Sequence, residues 1–256
     1  MADGETFLAC PALCTWPFGH TWQVGISSME RNLSSQVWVV IAAYNEASVI
    51  HRVISDVACR GYSVIVVDDG SSDHTAAAAF AADRVICHPI NLGQGAALQT
   101  GMDYALEQGA KVIVTFDADG QHRAADIARL VRALEKAQAD FALGSRFLGG
   151  PIDLPRSRLW LLKAATLFTQ LSTGLRLSDT HNGLRAMTCR GAGAIRLRQN
   201  RMAHASEILS QIATSGLKYV EVPVNIEYNI YSLAKGQRLG DALMILLDLF
   251  ARRLYR

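Results

Sequence analysis

The sequence predicts an α/β protein with a mostly parallel sheet flanked by helices. Three observations predict it. Segments such as Ser63-Val-Ile-Val-Val67 are continuously apolar, as strands covered on both faces read. Between them, apolar residues recur at i, i+3, i+4 and i+7, the stripe of an amphipathic helix. Strand and helix alternate across short polar loops, which requires right-handed crossovers between parallel neighbours.

In chain order, Val37-Trp-Val-Val-Ile-Ala42 is the first expected strand, and Ile50, Val53, Ile54 and Val57 mark the helix after it. The second strand, Ser63 to Val67, closes on the polar turn Asp68-Asp69-Gly70-Ser71-Ser72-Asp73. An alanine-rich helix follows, then a short strand from Arg84 to Cys87. A helix opens near Asn91-Leu-Gly-Gln-Gly95 and leads to the strand Lys111-Val-Ile-Val-Thr-Phe116. Ile127, Leu130, Val131 and Leu134 make another stripe before the strand Phe141-Ala-Leu-Gly144. Residues 1–35 show no period and read as a poorly ordered extension, or Met29 reads as the true start, with residues 1–28 upstream of it. Residues 36–238 read as one domain and residues 239–256 as an amphipathic C-terminal helix.

At 256 residues, half of them hydrophobic, the chain has ample material for a core. A net charge of +2 is too mild for a nucleic-acid surface. Five cysteines without framework spacing read as reduced thiols of a cytoplasmic protein, and Cys10 and Cys14 lack the second pair a zinc site needs. No stretch approaches the roughly 18 apolar residues of a spanning helix.

Parallel sheets bind ligands at the carboxyl ends of their strands. Three polar clusters fall there: Tyr44-Asn45-Glu46, Asp68-Asp69 and Asp117-Ala118-Asp119. Two carboxylates one residue apart, with the Gln121 side-chain oxygen two positions on, suit Mg²⁺ or Mn²⁺ sharing phosphate oxygens with a ligand. A lone Asp-x-Asp also reads as a solvated turn; three clusters on one edge favour a metal–phosphate site.

The ordered set Ala42-Ala-Tyr-Asn-Glu46, Val66-Val-Asp-Asp-Gly-Ser-Ser-Asp73, Asn91-Leu-Gly-Gln-Gly95 and Asp117-Ala-Asp-Gly-Gln121 resembles inverting family 2 glycosyltransferases. Within that family it is similar to the dolichyl-phosphate mannose synthase-like branch, with its polyprenyl-phosphate sugar transferases. Gly144-Ser-Arg-Phe-Leu-Gly-Gly150, Asp179-Thr-His-Asn-Gly-Leu-Arg-Ala186, Glu221-Val-Pro-Val224 and Tyr231-Ser-Leu-Ala-Lys-Gly236 extend the resemblance from about 37 to 240. It implies a GT-A fold, a Rossmann-like sheet, and a UDP- or GDP-sugar donor.

The resemblance places Ala42, Tyr44, Glu46, Asp68 and Asp69 at the nucleoside, and Asp117, Ala118, Asp119 and Gln121 at the metal and diphosphate. Lys235 matches a basic residue that meets donor phosphates, whereas Asn229 stands where an arginine is expected. Arg146, with Arg156 or Arg158, falls where this branch positions a lipid phosphate; the arginine fork suits two parallel bonds to phosphate. A sugar hydroxyl as acceptor would instead need a general base. Glu207 falls roughly where relatives place one, and it reads equally as a helix cap. Asp179 reads as orienting the acceptor side or as a turn starting the next strand. The Gln-x-x-Arg-Trp motif of processive synthases is missing, which implies transfer of a single sugar.

Leu239 to Phe250, followed by Arg252, Arg253 and Arg256, reads as an interfacial helix on a membrane face, with Arg158 to Phe168 beside it, or as packing on the domain or on a second copy. Two other classes compete. A nucleotidyltransferase needs a basic glycine-rich loop where acidic Tyr44-Asn45-Glu46 stands. A non-catalytic sugar-nucleotide-binding subunit would not need Asp117, Asp119 and Arg146 intact.

Overall fold

The computed structural model describes residues 36–149, 156–180, 182–199 and 203–227. The expected N-terminal extension, Lys235 and the C-terminal helix lie outside them. Among the described residues, seven strands form one sheet: β1 (Val37–Ala43), β2 (Ser63–Asp68), β3 (Arg84–Cys87), β4 (Val112–Asp117), β5 (Phe141–Ser145), β6 (Arg185–Thr188) and β7 (Tyr219–Pro223). Their order is β3-β2-β1-β4-β6-β5-β7. All neighbours are parallel except β6, which runs against both β4 and β5.

The helices are α1 (Ile50–Ala58), α2 (Thr75–Ala78), α3 (Gln94–Glu107), α4 (Ile127–Ala137), α5 (Arg156–Thr173), α6 (Cys189–Ala194) and α7 (Ala203–Ser215). Two apolar layers sandwich the sheet. On one side the predicted stripes of α1 and α4 cover Val39, Ile41, Val64 and Val66. On the other, Leu98 and Met102 of α3 and Ile208, Leu209 and Ile212 of α7 cover Val40, Ile65 and Val67. Gly101 lets α3 lie this close: a Cβ there would sit 2.3 Å from Val40 Cγ1.

The alanine-rich helix is brief. α2 is a single turn that buries only Thr75. A helix in a protein draws most of its stability from an apolar face, and alanines offer little area to bury. β6 is also short. It has four residues and begins with a buried arginine, so no apolar run announces it.

Candidate active site

Register brings the strand tips together. Ala42 of β1 stands beside Asp117 of β4, and Ala43 beside Asp68 of β2. Neighbouring strands lie about 4.8 Å apart, so the carboxylates of β2 and β4 flank the end of β1. Side chains alternate along β4. Phe116 enters the layer of α1 and α4, while Thr115 and Asp117 open into a crevice beneath α3 and α7.

The first two loops are sewn to each other. Asn45 takes the left-handed conformation, φ +55°, which asparagine tolerates better than most residues. Its N–H donates to Ser71 Oγ (2.9 Å), and its Oδ1 accepts from the Ser72 N–H (2.9 Å). The Glu46 N–H donates to Thr75 Oγ1 at 2.8 Å. Tyr44 stays exposed beside the buried Glu46 and Asp68. Asp68 accepts from the Ser71 N–H at 3.3 Å and from the Ser71 hydroxyl.

Asp69, expected at the nucleoside, is bonded within the protein. Its Oδ1 takes the Leu92 N–H (3.0 Å) and meets His88 Nδ1 (2.7 Å); its Oδ2 takes the Gly93 N–H (2.7 Å). A carboxylate has about four lone-pair sites, and three of them are taken here. Asp69 anchors the loop that leads into α3.

Asp117 is held from two sides. Gln94 Nε2 donates to Oδ1 at 3.2 Å, and His122 Nε2 meets Oδ2 at 2.9 Å. Gly183 lies against this carboxylate, where an added Cβ would be 2.2 Å from Oδ2. Burial opposes the charge of Asp117, but His122, then His204 and Arg185, outweigh it and hold its carboxyl below the ordinary range. Asp119 goes the other way: burial, then the charges of Asp117 and Glu46, push it up despite a bond from the Gln121 N–H. Gln121 also donates from its amide to Asp119 Oδ2 at 2.6 Å. Two half-buried carboxylates, one raising the pKa of the other, are a donor set suited to a dication. Among the described residues no third His, Cys, Asp or Glu completes a protein-only cage. The set therefore fits a Mg²⁺- or Mn²⁺-type ion that takes its other ligands from a carbonyl, water or ligand phosphates.

On the far side of β6, Arg146 follows β5. Its Nε donates to Asp179 Oδ2 at 2.6 Å and its backbone N–H to the same oxygen at 3.1 Å. Asp179 is thus a positioning group for Arg146 rather than a bare turn. Glu221 of β7 supports the same loop by accepting from the Ser178 N–H (2.8 Å) and hydroxyl (2.9 Å). Arg156 and Arg158 lie in the first turn of α5; their side chains fall outside the description.

Glu207 is likewise bonded within the protein. It lies inside α7, not before it, and does not cap the helix. Its carboxylate accepts from the N–H groups of Arg198 (3.0 Å) and Gln199 (2.8 Å) and clamps that loop. His204, one turn earlier, lines the crevice instead. Sequence reasoning also missed Gln94, His122, Asn182 and Arg185. In β6, Arg185 is paired with Thr115, so both side chains lie on the crevice face. Burial lowers the Arg185 pKa to about 10, while Asp117 and Asp179 pull it upward. Its charge therefore links the carboxylates of the two halves of the site.

Residues 38–193 match the family model described as glycosyl transferase family 2. The chain belongs to that family. It is 31% identical to the UDP-N-acetylglucosamine–dolichyl-phosphate N-acetylglucosaminyltransferase of Methanococcus voltae, over 78% of this chain and 89% of that one. Identity to the undecaprenyl-phosphate mannosyltransferase of Micrococcus luteus is 30%, over 74% and 82%. Among solved structures, glucosyl-3-phosphoglycerate synthase of Mycobacterium tuberculosis, in complex with Mn²⁺, UDP and glucosyl-3-phosphoglycerate, superimposes with a TM-score of 0.64. At 20% identity over 93% of this chain and 86% of that one, it shows a shared GT-A fold. The family 2 match spans β1 to α6, so both halves of the site lie within it.

Proposed function

We propose that this family 2 member transfers one sugar from a UDP- or GDP-sugar to a polyprenyl phosphate, with inversion at the anomeric carbon. The observation that carries the reading is the meeting of two halves across β6. A carboxylate pair, Asp117 and Asp119, stands at one side, and a clamped cation, Arg146 on Asp179, at the other. The relatives named for dolichyl and undecaprenyl phosphate support the lipid acceptor.

A phosphate oxygen is already anionic, so the acceptor needs positioning more than deprotonation. Arg146 supplies that, its fork oriented by Asp179. The acceptor oxygen bonds to the anomeric carbon on the face opposite the diphosphate; the carbon–oxygen bond to the diphosphate breaks, and the nucleoside diphosphate leaves with the electron pair. Tyr44, Glu46 and Asp68 border the nucleoside side. Mg²⁺ or Mn²⁺ on Asp117, Asp119 and Gln121 would offset the charge growing on the leaving group. With Glu207 occupied by loop N–H groups, no carboxylate outside this set is favoured as a base for a hydroxyl acceptor.

Thermal shift with UDP and GDP, with and without Mn²⁺, tests the donor, because a ligand of the folded state raises the melting point. One nucleotide is expected to stabilise the chain in a metal-dependent way, and Asp119→Ala is expected to abolish both that shift and transfer to polyprenyl phosphate. Metal-independent binding, or full transfer by Asp119→Ala, would refute the reading.

A further inference from the structure

We propose that Asn182 and Arg185 are the hydrogen-bond donors that seat the ring of the transferred sugar, at the floor of the crevice beneath Asp117. The assignment rests on the donor reading above and deepens it.

Both side chains are buried, at 3% and 5% exposure, and both line the crevice. Asn182 Oδ1 accepts from the Leu184 N–H at 2.9 Å, which sets the amide the other way round and leaves Nδ2 facing out of that turn. That nitrogen is buried without a hydrogen-bond partner. Among the described residues the Arg185 guanidinium makes no hydrogen bond or close ion pair, and Asp117 and Asp179 balance it at longer range. Buried polar groups are nearly always satisfied, so two donors idle in one crevice point to a ligand that brings acceptor oxygens.

The remaining walls choose the class of ligand. Leu98, Ala205 and Ile208 form an apolar side, suited to the C–H face of a ring. Asp117 shares the space, its carboxylate accepting from Gln94 and bonded to His122. An isolated anion there would bring acceptors alone to face the carboxylate oxygens. An uncharged polyol instead accepts from Asn182 and Arg185 and donates to Asp117. Gly183 keeps the floor open, since any side chain there would strike the Asp117 carboxylate.

The test separates ring recognition from nucleotide recognition. Asn182→Ser keeps a side-chain oxygen for the turn and removes the amide donor without adding charge. Arg185→Lys keeps the charge and removes the fork. Affinities for UDP, GDP, UDP-N-acetylglucosamine and GDP-mannose are measured with Mn²⁺ by titration calorimetry. For whichever pair binds, both variants are expected to weaken the sugar nucleotide at least tenfold and to leave the parent diphosphate within twofold. Equal losses for sugar nucleotide and diphosphate, or no loss for either in both variants, would overturn the assignment. A native chain that binds none of the four overturns the donor reading itself and the sugar seat with it.

Discussion

Asp117 and Gly183 form one unit, although 66 positions separate them in the chain. The carboxylate occupies the volume that any Cβ at Gly183 would claim. Gly183→Ala is therefore expected to swing Asp117 off Gln94 and His122 while the sheet stays intact. Mn²⁺-dependent nucleotide affinity should fall about 10–100-fold, the range for disturbing the groups that orient metal ligands, with little change in melting temperature. Glu207 decides between two tasks by magnitude. A general base contributes about 10²–10⁴-fold to rate, whereas a clamp on two loop N–H groups contributes about 1 kcal/mol of stability. Glu207→Gln is expected to keep transfer within about threefold, a factor far below the base range, and to lower the melting temperature modestly. Asp117 and Asp119 were legible because the motif is local and sits at the tip of an apolar run. Asn182, Arg185 and the destination of Glu207 were not, because each depends on partners brought by distant pairing. His122 stood in plain view five residues after Asp117, but only the backbone path turns it back to that carboxylate.

At the scale of elements, the buried parallel strands read clearly because both faces are apolar, and α1 and α4 because their stripes are complete. α2 stops after one turn because alanine carries helix propensity but little buried area. β6 was foreshadowed only by the turn at Asp179, because four residues with an arginine among them show no period. What holds β6 in place is partly ionic. Asp140, just before β5, accepts from Thr188 Oγ1 (3.1 Å) and from Arg190 Nε (2.8 Å) and Nη2 (2.6 Å). The Arg190 bond, ahead of the opposing effect of burial, holds the Asp140 carboxyl below its ordinary value. A carboxyl depressed in the folded state stabilises fully above its unfolded pKa, and that contribution is lost as pH falls through the folded value. Asp140→Asn is accordingly expected to cost about 1–3 kcal/mol at neutral pH, with the gap to the native chain closing as pH falls below the ordinary carboxylate range. Urea unfolding of both chains across pH 2–7 measures this; a gap constant with pH would refute it.

For the whole molecule, the lipid reading predicts a surface as well as a site. α5 presents Trp160 (74% exposed), Ala164, Leu167 and Leu171 (71% exposed) at i, i+4, i+7 and i+11, one continuous apolar line, while its opposite face buries Thr166 and Thr169. No helix among the described residues is long and apolar enough to cross a membrane. If the acceptor is a membrane lipid, this line is expected to rest on the bilayer. Trp160→Glu should then reduce co-sedimentation with anionic vesicles about tenfold, as loss of one large buried apolar side chain would; unchanged co-sedimentation would argue for another occupant. The antiparallel course of β6 has a further result for sequence variation. Only four residues fix its alignment, and its alternation decides which of them looks into the catalytic cleft. A one-codon insertion or deletion there would trade a guanidinium for Leu184 or a methyl group while leaving the sheet able to close. Length changes in this short stretch should thus silence the protein without unfolding it, a phenotype easily mistaken for the loss of a remote binding partner.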